Sequence, residues 1–326
     1  MKKYILILTC MIYCALGFSQ SSFESIVEAN NLYKQGKLDE AIAVLDKEIE
    51  KNDINLDVRY ARSFIFSEMG NEEKALSEIN VVLKYEPSNL KACYMRATIY
   101  EKLGQHENAL NDVNNVLRYF PYDCLALNLR GCIYQNTGMR GEALLDFDNA
   151  INYAKPGDNN IYGYYYSRAG FYYEVESFNY AMNDIEKALS YNPTDYRSLL
   201  LKSRILNDFN ETGKALETIN LAITLYPKKK ELYYLRINYY LDSKNIELAK
   251  KELDNLVSQN NNSANYHFLM ARYYACLNDK QNVIKELELY NKTKYDSKEK
   301  VIFDAKITVD SGSQINLEDF DLSTLK

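Results

Sequence analysis

The chain has no tryptophan and only two histidines, His106 and His267, in 326 residues. So few imidazoles leave little material for acid–base catalysis or a histidine-built metal site. None of the six cysteines is paired at metal-ligand spacing, so zinc is unsupported. No glycine-rich loop follows a strand-like segment, and no cofactor site is legible. Basic clusters are missing too. Lys228-Lys229-Lys230 is the single basic run, and a solvated turn accounts for it. With a formal charge of −6 and dispersed cations, the composition does not fit a nucleic-acid binder.

Only one long apolar run exists, Tyr4 to Leu16, and it is too short to span a bilayer comfortably. It follows Lys2-Lys3 and precedes Gly17-Phe18-Ser19. That order reads as a secretory signal peptide over residues 1–19, cut before Gln20. An uncleaved N-terminal anchor is the alternative; lipid attachment fits less well, because Thr9 and Tyr13 precede Cys10 and Cys14. The expected location is therefore outside the cytoplasm, periplasmic or extracellular, with a bacterial envelope the natural setting and no transmembrane span in the mature chain. Losing Lys2 and Lys3 takes the formal charge from −6 to −8. Cys93, Cys124, Cys132 and Cys276 remain. Export permits a disulfide, but Cys93 and Cys124 differ by three positions in repeat phase, so packed thiols are expected.

Proline is scarce, and its placement is informative. Pro87 and Pro121 are 34 residues apart, as are Pro193 and Pro227. The gap from Pro121 to Pro193 is 72, two periods plus four residues, and Pro156 lies next to the junction between them. Proline stops a helix because it lacks an N–H and clashes with the preceding turn. A 34-residue proline period therefore marks stacked helical repeats. Starts fall at residues 22, 56, 90, 124, 162, 196, 230 and 264, the extra four residues lying in the loop 155–161.

Columns of this register have a physical reading. Position eight is small in most repeats (Ala29, Ser63, Ala97, Gly131, Ala169, Ser203), and so is position twenty (Ala41, Ala75, Ala109, Ala143, Ala181, Ala215). Such residues let two helices approach closely. Position eleven is large or aromatic, and position twenty-four is apolar, which fills the seam. Position fifteen, where the first helix must end, is Gly36, Gly70, Gly104 and Gly138 in the first four repeats. Glycine there supplies a left-handed helix stop. Glu176, Asn210, Lys244 and Asn278 follow, so the later turns are expected to be strained or differently shaped.

These columns resemble the tetratricopeptide repeat family. Repeat three shows it best, with Ala97, Tyr100, Gly104, Ala109, Val113 and Pro121 on the family's positions. The family's tryptophan at position four is absent throughout. The resemblance covers residues 22–295 and implies an all-α, right-handed superhelical solenoid of about eight helix-turn-helix repeats. The first and last repeats match least, as capping repeats do. A final capping helix is expected over 297–309 and a polar mobile tail over 310–326.

Position seven reads Arg62, Arg96, Arg130, Arg168, Lys202 and Arg236; position twenty-three reads Glu78, Asp112, Asp146, Asp184, Thr218 and Glu252. Folding each hairpin about position fifteen brings the two columns to one height. Ion pairs are expected inside the repeats where an arginine has an acid opposite it, since arginine suits partly buried bidentate pairing; repeat six has Lys202 with Thr218, and repeat one lacks both, with Glu28 and Val44. In the family, positions two, five, nine and twelve of the first helix line a concave groove. Here they offer Tyr60, Tyr94, Asn128, Tyr166, Tyr173, Tyr234 and Phe268, with Arg204 and Arg272 as cations. Tyrosine offers contact area and a polar tip at low entropic cost. Gly163 and Gly170 beside Tyr166 and Tyr173 would open a shallow pocket. The competing explanation is that a chain with 30 tyrosines places them everywhere.

His106 lies near a turn of repeat three and His267 at a packing position of repeat eight, so no catalytic pair is expected. The sequence therefore points to a non-enzymatic scaffold or adaptor holding a protein or peptide partner in its groove, without nucleic acid. A structural brace, or an accessory subunit of a cell-envelope or membrane-associated assembly, is the alternative. It would use the convex face or the ends.

Overall fold

The computed structural model describes residues 20–258 and 263–296. Among them are sixteen α-helices and no strand, an all-α helical-repeat fold. The signal segment 1–19, the capping helix 297–309 and the tail 310–326 expected from the sequence lie outside the described residues. The chain divides after Asn160 into two compact units, so the boundary falls in the loop 155–161 that holds the four extra residues.

The first unit consists of four helical hairpins. They are α1 (Gln20–Lys34) with α2 (Leu38–Lys51), α3 (Leu56–Glu68) with α4 (Glu72–Tyr85), α5 (Leu90–Lys102) with α6 (His106–Tyr119), and α7 (Cys124–Asn136) with α8 (Arg140–Tyr153). The second unit repeats the plan with α9 (Ile161–Glu174) and α10 (Phe178–Tyr191), α11 (Tyr196–Asp208) and α12 (Thr212–Leu225), α13 (Lys230–Asp242) and α14 (Ile246–Ser258), and α15 (Ala264–Cys276) and α16 (Lys280–Asp296). In the first unit each second helix packs on the next first helix, and consecutive first helices touch.

Why the chain folds this way is visible position by position. Side chains just before several first helices cap them: Asn89 accepts from the Ala92 N–H at 3.0 Å, Asp123 from Ala126 at 2.8 Å and Asp195 from Ser198 at 2.8 Å. Each satisfies an amide that the helix itself leaves open. The alanines at position twenty and the apolar residues at twenty-four are fully buried, as in Ala75 with Ile79, Ala109 with Val113 and Ala181 with Ile185. Ser63, at position eight, keeps its hydroxyl satisfied by donating to the Ala75 carbonyl across the hairpin at 2.8 Å. Cys93, Cys124, Cys132 and Cys276 form no disulfide.

All eight hairpin turns share one shape. Gly36, Gly70, Gly104 and Gly138 have φ of 70–77°, and Glu176, Asn210, Lys244 and Asn278 have φ of 57–59°. In each turn the amide at position sixteen donates to the carbonyl at position eleven, as in Gln105 to Tyr100 at 2.8 Å, Ser177 to Tyr172 at 2.8 Å and Asn245 to Tyr240 at 2.8 Å. This is the six-to-one bond of a helix stop. The later turns are therefore not reshaped; Glu176 and Lys244 occupy the left-handed conformation at a steric cost of about 1 kcal/mol. Replacing Lys244 by glycine relieves that cost, partly offset by glycine's freer unfolded chain. The expected result is a rise of about 2 °C in Tm, measured by circular dichroism; an unchanged or lower Tm would show that the turn carries no strain.

Candidate functional site

The position-seven arginines form the ion pairs expected within repeats. Arg96 donates from Nε and Nη2 to Asp112 at 2.7 and 2.9 Å, and Arg130 to Asp146 at 2.6 and 2.9 Å. Arg168 grips Asp184 at 2.7 and 2.8 Å, Arg62 reaches Glu78 at 2.6 Å, and Arg236 holds Glu252 at 3.0 Å. The carboxylate hydrogen bonds raise the Arg96 and Arg130 guanidinium pKa above its ordinary value, against the opposing effect of burial. Their remaining nitrogen does something the sequence reading missed. Arg96 Nη1 donates to Asn80 at 3.0 Å, Arg130 Nη1 to Asn114 at 2.8 Å and Arg236 Nη1 to Asn220 at 2.8 Å, each in the preceding repeat. Arg62 does the same with Asp46 at 2.6 Å. The column at position twenty-five carried that signal. Arg62, Arg96, Arg130 and Arg236 are thus staples between repeats, and the position-eleven rings of Tyr100 and Tyr134 lie 5.7 Å from the Arg96 and Arg130 guanidinium groups. Structural pairing leaves these cations unavailable to a ligand.

The staple is missing in repeat six, where Lys202 and Thr218 stand. There a cleft of about 350 Å³ opens, lined in part by Met182, Glu186, Lys202, Phe209 and Thr218.

On the first-helix face of the first unit, Tyr60 and Tyr94 are partly buried, and burial pushes the Tyr94 hydroxyl up to about 12. Asn128 points a buried Oδ1 that receives no hydrogen bond. In the second unit Tyr166 is half-buried, with the Arg197 guanidinium 4.8 Å above its ring. Tyr173 donates to Asp208 at 2.7 Å, and burial followed by that carboxylate raises its pKa. A Cβ added at Gly163 or Gly170 would meet nothing within 4 Å, so there is open space beside these helix positions.

Two of the aromatic candidates are placed elsewhere. Tyr234 is 2% exposed and Phe268 5%, both within the core of the second unit. The reason is the close packing of α13 on α15, which covers position five in these repeats. Tyr234 shares a 3.0 Å hydrogen bond with Ser263 Oγ, and Phe268 packs on Tyr290 with centroids 6.1 Å apart. These residues are core, not groove wall. Arg272 is also committed, donating to Asp242 at 2.8 Å and to Asn238. His267 is buried and bonded to Glu286 at 2.7 Å, a packing role.

Arg204 differs. Its Nε is buried without an acceptor, and it forms no hydrogen bond or ion pair among the described residues. In the second unit this face offers aromatic surface at Tyr166 and Tyr173 with Arg197 and Arg204 as cations; no cluster of three metal-ligating side chains occurs among the described residues.

Residues 90–123 match the sequence profile of the tetratricopeptide repeat. The fold is that of the tetratricopeptide repeat proteins. A tetratricopeptide repeat protein from Parabacteroides merdae aligns at 20% identity with a TM-score of 0.53, over 84% of this chain and all of that one. Human IFIT1 aligns at 17% identity and 0.62, over 82% of this chain and 68% of its own. A chain of the APC/C hetero-tetramer Cut9–Hcn1 aligns at 14% identity and 0.57 over 67% of this chain. The match spans 42% of that Cut9–Hcn1 chain. At these identities the likeness is one of fold. No curated protein matches the sequence. Proteins built from tetratricopeptide repeats generally bind other proteins, and no described helix is long and apolar enough to cross a membrane.

Proposed function

We propose that this chain is a non-enzymatic scaffold that holds a peptide or an extended protein segment along its first helices, chiefly in the second unit. The observation that carries the reading is the half-buried Tyr166 and Tyr173 beside open space at Gly163 and Gly170. Aromatic side chains at such a place supply apolar area and ring faces to a partner. In this reading residues 1–19 direct export, and the scaffold works in the periplasm or outside the cell. The IFIT1 structure carries PPP-AAAA. An acidic chain with stapled arginines is a poor electrostatic match for such a ligand.

The test is a crosslinking pull-down from native cells with wild type and Tyr166→Ala/Tyr173→Ala. A partner lost from the double variant, with Tm within a few degrees of wild type, is the expected result. The same partners at the same yield in both would remove the interaction from this face.

One observation favours a second reading, attachment through an edge. Tyr85, Tyr119 and Tyr153 recur at position thirty of the first unit and are exposed, as are Phe120 and Tyr122. Tyr122 and Tyr153 pack edge-on at 4.7 Å. Exposed aromatic patches of this kind mark interaction surfaces. A structural brace in an envelope assembly would use this edge and be indifferent to Tyr166 and Tyr173.

A further inference from the structure

The open end of the α7–α8 hairpin carries two exposed tyrosines in contact. Tyr122 stands in the junction before α7, and Tyr153 is the last residue of α8. Their rings meet edge-on with centroids 4.7 Å apart. Tyr122 is 67% exposed and Tyr153 43%. Neither hydroxyl makes a hydrogen bond, and no cation lies over either ring, among the described residues.

Other tyrosine pairs are placed differently. Tyr165 meets Tyr191 at 6.0 Å, Tyr172 meets Tyr180 at 5.3 Å and Tyr196 meets Tyr226 at 5.4 Å. At least one ring of each pair is half-buried. A cation also faces each pair: the Arg168 guanidinium is 5.8 Å from Tyr165 and 5.9 Å from Tyr172, and the Lys229 ammonium is 5.2 Å from Tyr196. A neighbouring positive charge makes an electron harder to remove from a ring, and burial keeps an oxidant out. Tyr122 and Tyr153 meet neither obstacle, and their rings approach more closely than those of the other three pairs.

We propose that Tyr122 and Tyr153 form an oxidative crosslinking site, joined ring to ring as dityrosine. The oxidant is a peroxide acting through a haem peroxidase. It takes one electron and one proton from each phenol, and hydrogen peroxide, gaining those two electrons and two protons, leaves as two waters. The unpaired spin of each phenoxyl radical is shared with the ring carbons ortho to the oxygen. A carbon–carbon bond forms between two such carbons, and the hydrogen on each moves to its oxygen, which restores both phenols. The edge-on contact supplies the proximity that two short-lived radicals need. The product closes the hairpin opposite its turn at Gly138 and ties residues 122 and 153 into one loop. A closed loop has less freedom to gain on unfolding, so the bond holds the last hairpin of the first unit shut.

The experiment uses the full chain as wild type, Tyr122→Phe, Tyr153→Phe and Cys124→Ser. Phenylalanine keeps each ring but removes the oxidisable hydroxyl. Cys124 donates its thiol to the Tyr122 carbonyl at 3.7 Å, so Cys124→Ser excludes a cysteine-based crosslink. Each protein is treated in dilute solution with hydrogen peroxide and a haem peroxidase, digested, and read by tandem mass spectrometry. Wild type and Cys124→Ser are expected to yield a Tyr122–Tyr153 link, two hydrogens lighter than the two peptides together, on protein that still runs as a monomer. It should exceed any other tyrosine–tyrosine link by about fivefold, as proximity dictates. Either phenylalanine variant loses it. Oxidised wild type should melt about 5 °C above the untreated protein, a gain absent from oxidised Tyr153→Phe. The same link is expected in protein taken from peroxide-treated native cells. Links formed mainly at other tyrosines, or only between copies of the chain, would overturn the site. So would loss of the link in Cys124→Ser, or its absence from the treated cells.

Discussion

Asp146→Ala is expected to cost about 3 kcal/mol of stability, near the lower end of the range for breaking a buried ion pair. Asp146 is 3% exposed and takes both a Nε and a Nη2 hydrogen bond from Arg130. Without the carboxylate, the guanidinium keeps Asn114 and the Tyr134 ring but faces a small cavity with its full charge. It cannot lose its proton to escape. The Arg130 side chain is still 23% exposed, which lets water relieve part of the penalty and holds the loss towards the lower bound. Arg130→Ala removes the charge together with the staple to Asn114. Because the two residues act as a unit, the double variant should lose clearly less than the sum of the single losses. Urea unfolding of all four proteins measures this. A loss below about 1 kcal/mol in Asp146→Ala, with additive behaviour in the double variant, would reduce the pair to the value of an exposed salt bridge.

Repeat six is a natural version of that experiment. Arginine is replaced by Lys202, the acid by Thr218, and a cleft lies where the staple would run. Lys202 keeps a cation there without an acid opposite it in its own repeat, and it lines the open cleft together with Glu186 and Glu217.

Gly131→Ala is the second large effect, with an expected cost of about 2 kcal/mol from overpacking. A Cβ at this position would meet Phe147 Cε1 at 2.7 Å and Cδ1 at 2.8 Å, closer than carbon atoms pack. Phe147 is fully buried, so its ring has no free volume to enter. Position twenty-four holds Leu, Ile or Val in the other repeats and Phe only here, and position eight is glycine only here. Gly131 therefore makes room for the ring. Alanine ordinarily favours a helix over glycine by about 1 kcal/mol; here the clash is expected to outweigh that gain. Gly131→Ala/Phe147→Ile restores the pairing that other repeats use, and the double variant should regain most of the loss. A Tm for Gly131→Ala at or above wild type would show that the ring moves aside freely.

Much of this was legible in the sequence. The proline period and the glycines at position fifteen gave the hairpins, because a helix stop is a local event. Arg96 and Asp112 could be paired on paper for the same reason: both lie in one 34-residue unit, and helix geometry fixes their heights. The fate of the position-five aromatics could not be read. Periodicity says which way Tyr94 and Tyr234 point from their own helices, but not how closely the neighbouring helix covers them.

The sequence by itself determined the repeat, the helix ends, the left-handed turns at Gly36, Gly70, Gly104 and Gly138, and the ion pairs in the hairpins that carry both an arginine and an acid. Each depends on a few residues close along the chain and on the fixed dimensions of an α-helix. Only the tertiary structure decided which surface residues became core, which asparagines received the arginine staples, and that Arg272 is committed while Arg204 is not. Those outcomes depend on the distance between neighbouring repeats. Direct packing of α13 on α15 buries Tyr234 and Phe268, whereas the wider seam between α11 and α13 leaves a guanidinium without an acceptor.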